Sequence, residues 1–410
     1  MPTIFQSKLK FSLALLGLVT ITAACQQNIS TTQVPREQTP SPQTAQPTNS
    51  NSATNPIPSE KSTTPVKFKV ETIATGLEVP WDIEPTPDGR IFILERAGRI
   101  RLLLNQQLDP TPYPVTLENF SSKGQGGLMD MALHPDYASN KLIYLAYTVE
   151  TNGAMHTRVS RFRDTGTGLM IDRQIFSADP VDSTKHFGSR IGFGQDRKLY
   201  ITLGERGKWD KAQDLGTVNG KTLRLQEDGT IPADNPFVGR AGAKPEVFSY
   251  GNRNTQAMAF QPGTGLIWQA EHGPSGNDRP GGGDEINIIE AGKNYGWPRI
   301  HHSMTQPGLE SPLKQFTPAT APGGAAFYTG DRFPQWQGNL FVANLRGQSL
   351  QRFTINGRQI MEVENLLSNE YGRLRAVAVV DGYVYVSTSN GDGYGSGNRG
   401  ADTILRLSPQ

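Results

Sequence analysis

The sequence predicts an all-β fold, a six-bladed β-propeller built from four-stranded antiparallel blades. No long stretch after residue 65 has the 3.6-residue periodicity of an amphipathic helix, and short apolar runs are separated by turn residues instead. A unit of strand, Pro/Asp/Gly-type turn and second strand occurs six times. Its spacing of about 45 to 70 residues suits one blade per repeat. Two β-sandwiches are the alternative, but the constant place of the turn within the unit favours the propeller.

The six units follow one another along the chain. In the first, the apolar runs 81–83 and 91–94 flank a turn at 86–89. The second, third, fourth and sixth units have turns at 134–136, 195–196, 261–263 and 381–382, and the fifth has a longer connection between residues 328 and 340. Third strands are predicted at residues 100–103, 223–225, 350–353 and 404–407. Since a propeller gathers loops from every blade around one channel mouth, we expect site residues to be scattered in sequence and to lie in loops.

The N-terminal segment predicts export. Residues 1–25 contain a positive start with Lys8 and Lys10, then a mostly apolar run too short to span a bilayer comfortably. The run ends at Cys25, the only cysteine, in a lipobox-like context that has Thr22 where Leu is usual. Lipidation at Cys25 would anchor the protein in the periplasm or cell envelope, with no other membrane contact. Ordinary signal cleavage and a retained anchor are the alternatives.

Residues 26–65 are rich in Gln, Thr, Ser, Pro and Asn and nearly lack aliphatic side chains. Such a segment cannot bury enough apolar surface to offset its ordering entropy, so we expect a disordered tether. The predicted folded domain is therefore 66–410.

Composition excludes several classes of protein. Lys and Arg number 40 against 38 Asp and Glu, and a net charge of +2 argues against a nucleic-acid binder. A single cysteine excludes a disulfide framework and cysteine-based zinc or iron–sulfur sites. The sequence contains neither HExxH nor GxxxxGK[ST], which argues against a zincin or a P-loop nucleotide enzyme.

Four polar, glycine-rich loops are candidates for chemistry, at residues 123–127, 186–207, 251–254 and 271–297. His186 with Glu205 has the composition of a general base and its carboxylate partner, although a structural histidine remains open. Arg373 and Arg375 are spaced to share one strand face, which suggests a polyanionic ligand, whereas any one arginine alone is better explained by a salt bridge. Glu285 beside Asp284 indicates either a Ca²⁺ site or a turn with exposed acids.

Four motifs together resemble one family. HFGSRIGFGQDRKLYITLGERG, SYGNRNTQAMAF, EHGPSGNDRPGGGDEINIIEAGKNYGWP and GRLRAV are similar, in this order, to the soluble PQQ-dependent glucose and aldose sugar dehydrogenases, the glucose/sorbosone dehydrogenase family. The resemblance covers nearly all of residues 70–408 and is closer to the aldose sugar dehydrogenase branch than to the glucose enzyme. It implies a six-bladed propeller, in agreement with the repeat count.

The resemblance also implies roles in catalysis and cofactor binding. His186 would take the proton of the sugar's anomeric hydroxyl as hydride passes to PQQ, and Glu205 would support that histidine. Arg253 and Asn254 would lie at the quinone carbonyls of PQQ. The other implied PQQ contacts are Gln125, His272, Phe316, Arg346, Arg373 and Arg375, the last two at the PQQ carboxylates.

For calcium, the resemblance implies two positions. Gly273 and Pro274 would offer backbone carbonyls to a Ca²⁺ that bridges to PQQ, and Glu285 and Tyr295 would belong to a separate structural Ca²⁺. The substrate would be an aldose, the product an aldonolactone, and the electrons would leave to a quinone, cytochrome or dye.

Three implied contacts depart from the usual family residue. Arg346 stands for Lys, Phe316 for the Trp that covers PQQ, and His272 for the Gln of the glucose enzyme. Residues 279–283 also look like an insertion before Asp284. A non-catalytic envelope propeller that binds carbohydrate or protein is the alternative function. The intact base and arginine pair favour the enzyme, because such a binding protein would need neither.

Overall fold

A computed structural model of the chain describes residues 66–276, 278–395 and 401–410. The predicted signal segment 1–25 with Cys25 and the predicted tether 26–65 lie outside the described residues. Within these ranges, 24 strands form six four-stranded antiparallel sheets, which confirms the predicted six-bladed β-propeller. No helix of this part of the chain is both long and apolar enough to cross a membrane.

The blades use strands in chain order, except that the N-terminal strand completes the last blade. Blade 1 contains β2 (Pro80–Pro85), β3 (Arg90–Glu95), β4 (Ile100–Leu104) and β5 (Gln107–Leu108). Blade 2 contains β6 (Leu128–Leu133), β7 (Leu142–Thr151), β8 (Ala154–Asp164) and β9 (Leu169–Ser177). Blade 3 contains β10 (Ile191–Phe193), β11 (Leu199–Leu203), β12 (Lys221–Leu225) and β13 (Val247–Tyr250).

The second half repeats this plan. Blade 4 contains β14 (Thr255–Phe260), β15 (Ile267–Glu271), β16 (Asp284–Ile289) and β17 (Lys314–Phe316). Blade 5 contains β18 (Pro322–Phe327), β19 (Leu340–Asn344), β20 (Ser349–Asn356) and β21 (Gln359–Leu366). Blade 6 contains β22 (Leu374–Val380), β23 (Tyr383–Thr388), β24 (Asp402–Pro409) and β1 (Phe68–Leu77). Short helical turns lie at Tyr137–Asn140, Trp209–Ala212 and Pro334–Trp336.

The ring closes through strand β1, which sequence analysis did not assign. It pairs antiparallel with β24, from Phe68 opposite Pro409 to Leu77 opposite Asp402. The first strand of each blade contacts the first strands of both neighbouring blades, in the cyclic order β2, β6, β10, β14, β18 and β22. These six strands therefore surround the central axis.

Apolar side chains pack between the blades. Tyr144 and Val159 of blade 2, for example, lie in one buried cluster with Leu199 and Ile201 of blade 3. Near the axis, the buried guanidinium of Arg190 donates to Asp82 and Asp130 and to the backbone carbonyls of Gln256 and Gly323. One side chain of blade 3 is thus bonded to four other blades and ties their first strands together around the axis.

Candidate active site

A cavity of about 750 Å³ opens where loops from all six blades meet. In an antiparallel blade, the start of the first strand and the end of the second lie at the same end of the sheet. Most lining residues lie in the segments that precede the first strand or follow the second strand of a blade. The remaining three lie within first strands, and they are Trp81, Gln256 and Arg375. The site is therefore scattered in sequence and mostly in loops, as predicted.

Eight of the predicted site residues line this cavity together. They are Gln125, His186, Arg253, Asn254, His272, Arg346, Arg373 and Arg375. Their separations along the chain reach about 250 residues, so only the propeller's closure brings them to one place.

His186 and Glu205 form a buried pair. The Nδ1 atom of His186 lies 2.8 and 2.7 Å from the two carboxylate oxygens of Glu205, whose side chain is fully buried. An ionised carboxylate only accepts, so Nδ1 carries the proton and Nε2 is left with its lone pair. This is the arrangement of an imidazole that can accept a proton at Nε2 while its partner stabilises the resulting charge.

The backbone around His186 is held in an uncommon conformation. His186 has φ of +53°, and its amide donates to the side-chain oxygen of Gln125 at 2.9 Å. The amide of Gly188 donates to the side-chain oxygen of Asn254 at 3.1 Å. A Cβ atom on Gly204 would lie 2.1 Å from the His186 carbonyl, so glycine is required there. Gln125 and Asn254, predicted as cofactor contacts, therefore also position the histidine loop.

Arg206 supports the segment around His186 from outside the cavity lining, a role that sequence analysis did not identify. Its guanidinium donates to the carbonyls of Lys185 and Met155 at 2.8 and 3.1 Å, and to that of Ser183. It also stacks on the ring of Phe187 at 3.6 Å. Glu205 and Arg206 thus hold the segment around His186 from two sides, one through the imidazole and one through the backbone.

Arg253 lines the cavity next to His272. It donates to the His272 carbonyl at 3.0 Å and to the carboxylate of Asp278, and its guanidinium lies 5.5 Å from the ring of Trp297. Its Nε atom is buried without a hydrogen-bond partner among the described residues. A buried donor without a partner is costly, so a ligand acceptor at this point would be stabilising.

His272 has a different partner from His186. Its Nε2 lies 2.8 Å from the Pro322 carbonyl, which can only accept, so Nε2 carries the proton. Burial lowers the pKa of His272 to about 4, although the nearby carboxylate of Asp284 acts in the opposite direction. His272 is therefore neutral at physiological pH.

The arginine pair is joined by one acid. Arg373 and Arg375 both approach the same carboxylate oxygen of Asp392, at 2.8 and 3.4 Å, and Arg375 also stacks on Trp81 at 3.6 Å. Burial lowers the pKa of Arg375 to about 9, the direction expected for a cation with incomplete counter-charge.

The cavity has a strong positive excess. Its lining includes six cationic side chains, Arg96, Lys185, Arg253, Arg346, Arg373 and Arg375, against two carboxylates, Asp278 and Asp392. The net charge of the whole chain is only +2, so this excess of positive charge is a local property of the cavity. Guanidinium groups bind carboxylates in two-point contacts, so the donor set fits a tricarboxylate such as PQQ.

The predicted metal residues lie beside the cavity, outside its lining. Gly273 and Pro274 are in the loop between β15 and β16, where the Gly273 amide donates to Asp284 at 2.8 Å. Among the described residues no group of three or more His, Cys, Asp and Glu side chains has the geometry of a metal site. A site built on backbone carbonyls does not need such a group.

Glu285 has an unusual neighbour. It lies directly opposite Glu271 in the β15–β16 pair, and both side chains are buried. Burial and then the Glu271 charge raise the pKa of Glu285, and burial raises that of Glu271 to about 7. The nearby Asn252 side-chain oxygen is buried without a partner among the described residues. Two carboxylates and a free amide oxygen suit a hard cation such as Ca²⁺.

Tyr295 and Phe316 both lie outside the cavity lining. The Tyr295 hydroxyl donates to the Ile288 carbonyl at 2.6 Å and accepts from the Glu290 amide at 2.9 Å, so its phenol is already satisfied. Phe316 lies outside the cavity lining, and its ring packs 6.2 Å from Phe353 of the next blade. The aromatic rings at the cavity are instead Trp81, Trp209 and Tyr394.

A model of the glucose/sorbosone dehydrogenase family matches residues 77–396. The aldose sugar dehydrogenase YliI of Escherichia coli K12 is 36% identical over 370 residues, 84% of this chain and 94% of that protein.

Two solved structures agree with this match. The crystal structure of an oxidoreductase (glucose dehydrogenase) from Thermus thermophilus has 40% identity and a TM-score of 0.74, and covers 83% of this chain and 100% of its own. The PQQ-bound aldose sugar dehydrogenase of Streptomyces coelicolor has 32% identity and a TM-score of 0.71, with 84% and 99% covered.

Proposed function

The chain belongs to the glucose/sorbosone dehydrogenase family, and from this membership we propose that it oxidises aldose sugars at the anomeric carbon with PQQ and Ca²⁺. Relatives of known structure include a PQQ-bound aldose sugar dehydrogenase, so the family is one of PQQ-dependent sugar oxidoreductases. The observation that carries the proposal is one cavity that combines a carboxylate-partnered histidine with six cationic side chains.

The roles of the residues follow from their chemistry. When bound, PQQ supplies the two-electron acceptor for the hydride that leaves the anomeric carbon. His186 takes the proton of the anomeric hydroxyl at Nε2, and the carbon–oxygen bond becomes the carbonyl of an aldonolactone. Glu205 stabilises the imidazolium that forms, at 2.7 Å from Nδ1. Arg253 would place positive charge in the same cavity, where negative charge would develop.

In this proposal, positively charged side chains hold the cofactor through its carboxylates. Arg373, Arg375 and Arg346 would bind the carboxylates of PQQ, and the backbone carbonyls of Gly273 and Pro274 would hold the adjacent Ca²⁺. Glu285, with Glu271 opposite it, would hold the second Ca²⁺.

A reconstitution experiment tests the function. The full chain, purified in detergent and stripped of metal, receives PQQ and Ca²⁺ singly and together, and reduction of a redox dye is followed with a panel of aldoses. We expect turnover only with both additions. A folded protein that neither binds PQQ nor reduces dye would instead favour the non-catalytic binding propeller.

Location remains a proposal from the sequence. The lipobox-like end at Cys25 supports export and lipid anchoring in the cell envelope, where a quinone or cytochrome would take the electrons. Labelling with a radioactive fatty acid should mark the wild type and not Cys25→Ser. Label that persists in the variant would exclude this anchor.

A further inference from the structure

Two adjacent histidines outside the cavity lining face each other. They are His301 and His302, and both are partly buried. Their Nδ1 atoms lie 2.8 Å apart, and the two ring planes are inclined at 77°. The proposed sugar oxidation uses neither ring, so the pair is free for another function.

The protonation of the pair follows from the contact of His302. Its Nε2 lies 3.0 Å from the Gly281 carbonyl, which can only accept, so Nε2 carries the proton. A neutral His302 therefore presents the lone pair of Nδ1 to His301. Burial and the neighbouring His302 lower the pKa of His301, which keeps that ring neutral at physiological pH. The tautomer of His301 with its proton on Nε2 then presents a second lone pair, on the side of His302.

The bond from His302 to Gly281 is of a kind that metal-binding histidines make. A histidine that binds a metal through one nitrogen usually donates from the other to a carboxylate or a backbone carbonyl, which fixes the tautomer. The ring is also fixed in place, because a Cβ atom on Gly283 would lie 2.6 Å from it and glycine lets the backbone pack against the imidazole. The Met304 amide donates to the His301 carbonyl at 3.1 Å and closes the turn that carries both rings. The pair is therefore positioned in advance, which lowers the entropy cost of binding.

The separation of the two nitrogens favours one coordination geometry. Metal–imidazole bonds are about 2.0 Å long, and two such bonds at a right angle place their nitrogens about 2.8 Å apart. At the tetrahedral angle that zinc prefers, the nitrogens would be about 3.3 Å apart. The observed 2.8 Å between the Nδ1 atoms thus matches neighbouring positions of a square plane, a geometry typical of Cu²⁺. Among the first-row divalent ions, Cu²⁺ is also the one that nitrogen ligands bind most tightly.

We propose that His301 and His302 form a binding site for Cu²⁺, with the two Nδ1 atoms as its protein ligands. Within the part of the chain that the structure describes, no group of three or more His, Cys, Asp and Glu side chains forms a metal site, so water takes the remaining positions. Since His302 bonds to Gly281, the bound ion ties this turn to the β15–β16 loop. The site needs neither PQQ nor the proposed oxidation.

Calorimetry and electron paramagnetic resonance test the site. The full chain, purified in detergent without a polyhistidine tag, is stripped of metal, saturated with Ca²⁺ and titrated with Cu²⁺ in the absence of PQQ and sugar. We expect one Cu²⁺ per chain and an axial spectrum with splitting from two nitrogens. Zn²⁺ should bind at least about a hundredfold more weakly, because the order of affinities and the geometry both favour copper. Equal affinities for the two ions would refute the square-planar site.

Variants of the two histidines locate the ion. His301→Asn and His302→Asn should each weaken Cu²⁺ binding at least about tenfold, equivalent to about 1.4 kcal/mol, and remove the splitting from one nitrogen. Circular dichroism shows whether each variant is folded, and His301→Asn decides the test if His302→Asn does not fold.

His186→Gln is the matched control. It removes an imidazole that also has a free lone pair, at Nε2, but that ring lines a cavity whose positive excess repels a cation. Affinity and spectrum should therefore stay those of the wild type, and a loss of binding would place the copper in the cavity and overturn the proposal. The absence of saturable binding would overturn it as well. Several weakly bound ions that persist in His301→Asn and His302→Asn would mean adventitious binding only.

Discussion

Two histidines line the cavity, and their partners give them different chemistry. His186 of blade 3 bonds through Nδ1 to the buried carboxylate of Glu205 at 2.7 Å. His272 of blade 4 bonds through Nε2 to the backbone carbonyl of Pro322 at 2.8 Å. Both rings line the same cavity, His186 buried and His272 partly buried, so composition and position in the lining alone do not distinguish them.

The difference lies in what happens when each ring gains a proton. A carboxylate supplies a full negative charge to an imidazolium, whereas a carbonyl supplies only a dipole. Burial lowers the pKa of His272 to about 4, so that ring remains a neutral hydrogen-bond donor. A histidine at such a cavity is therefore a candidate base when its other nitrogen meets a buried acid, and the variants below test this rule.

The largest effect is expected for His186→Gln. Gln cannot accept and hold a proton as imidazole does, so kcat should fall by roughly 10³-fold, within the usual range for a general base. PQQ affinity should stay near the wild-type value, since the arginine pair is untouched. Steady-state kinetics and a spectroscopic PQQ titration check the two expectations, and unimpaired turnover would remove His186 from catalysis.

Glu205→Gln should have the second largest effect. The substitution keeps the shape of the side chain but removes the charge that stabilises a protonated His186, so kcat should fall roughly 10²-fold. KM and PQQ affinity should change little. If Glu205→Gln kept the wild-type kcat, the contrast between the two histidines would have no catalytic meaning.

Arg206→Met should loosen the backbone around His186 and leave the hydrogen bond between His186 and Glu205 in place. Three carbonyl acceptors, those of Lys185, Ser183 and Met155, would lose their donor. We expect kcat to fall roughly tenfold because small displacements of a catalytic group are costly. Arg206→Lys should recover part of kcat, and a loss of thermal stability with unchanged kcat would assign Arg206 to folding alone.

Sequence analysis predicted the blades well because their signal is local. Short apolar runs on either side of a recurrent turn predicted the inner strands of each blade. Strand β1 was not predicted, because its partner β24 is more than 300 residues away and no local pattern reveals that pairing. Most of the lining residues predicted in advance lie in the polar, glycine-rich loops, and Arg346, Arg373 and Arg375 are the exceptions.

Phe316, which was wrongly predicted, and Trp209 and Asp392, which were missed, lie outside those loops. Phe316 was chosen as the covering ring, but it packs between blades against Phe353. Trp209 was missed because one aromatic residue in a polar loop looks like any other. Asp392 was missed because no pattern in the sequence shows that its carboxylate meets the Arg373 guanidinium.

The smallest effect is expected for His272→Gln. A Gln side-chain amide can still donate to the Pro322 carbonyl, and a ring that stays neutral transfers no proton, so kcat should remain within about threefold of the wild type. Imperfect replacement of the 2.8 Å hydrogen bond should cost about 1 kcal/mol of unfolding free energy. Denaturant unfolding and kinetics on the same preparation measure both. A loss of kcat as large as that of His186→Gln would show that a buried acid partner is not what selects the base, and that position relative to the bound sugar decides instead.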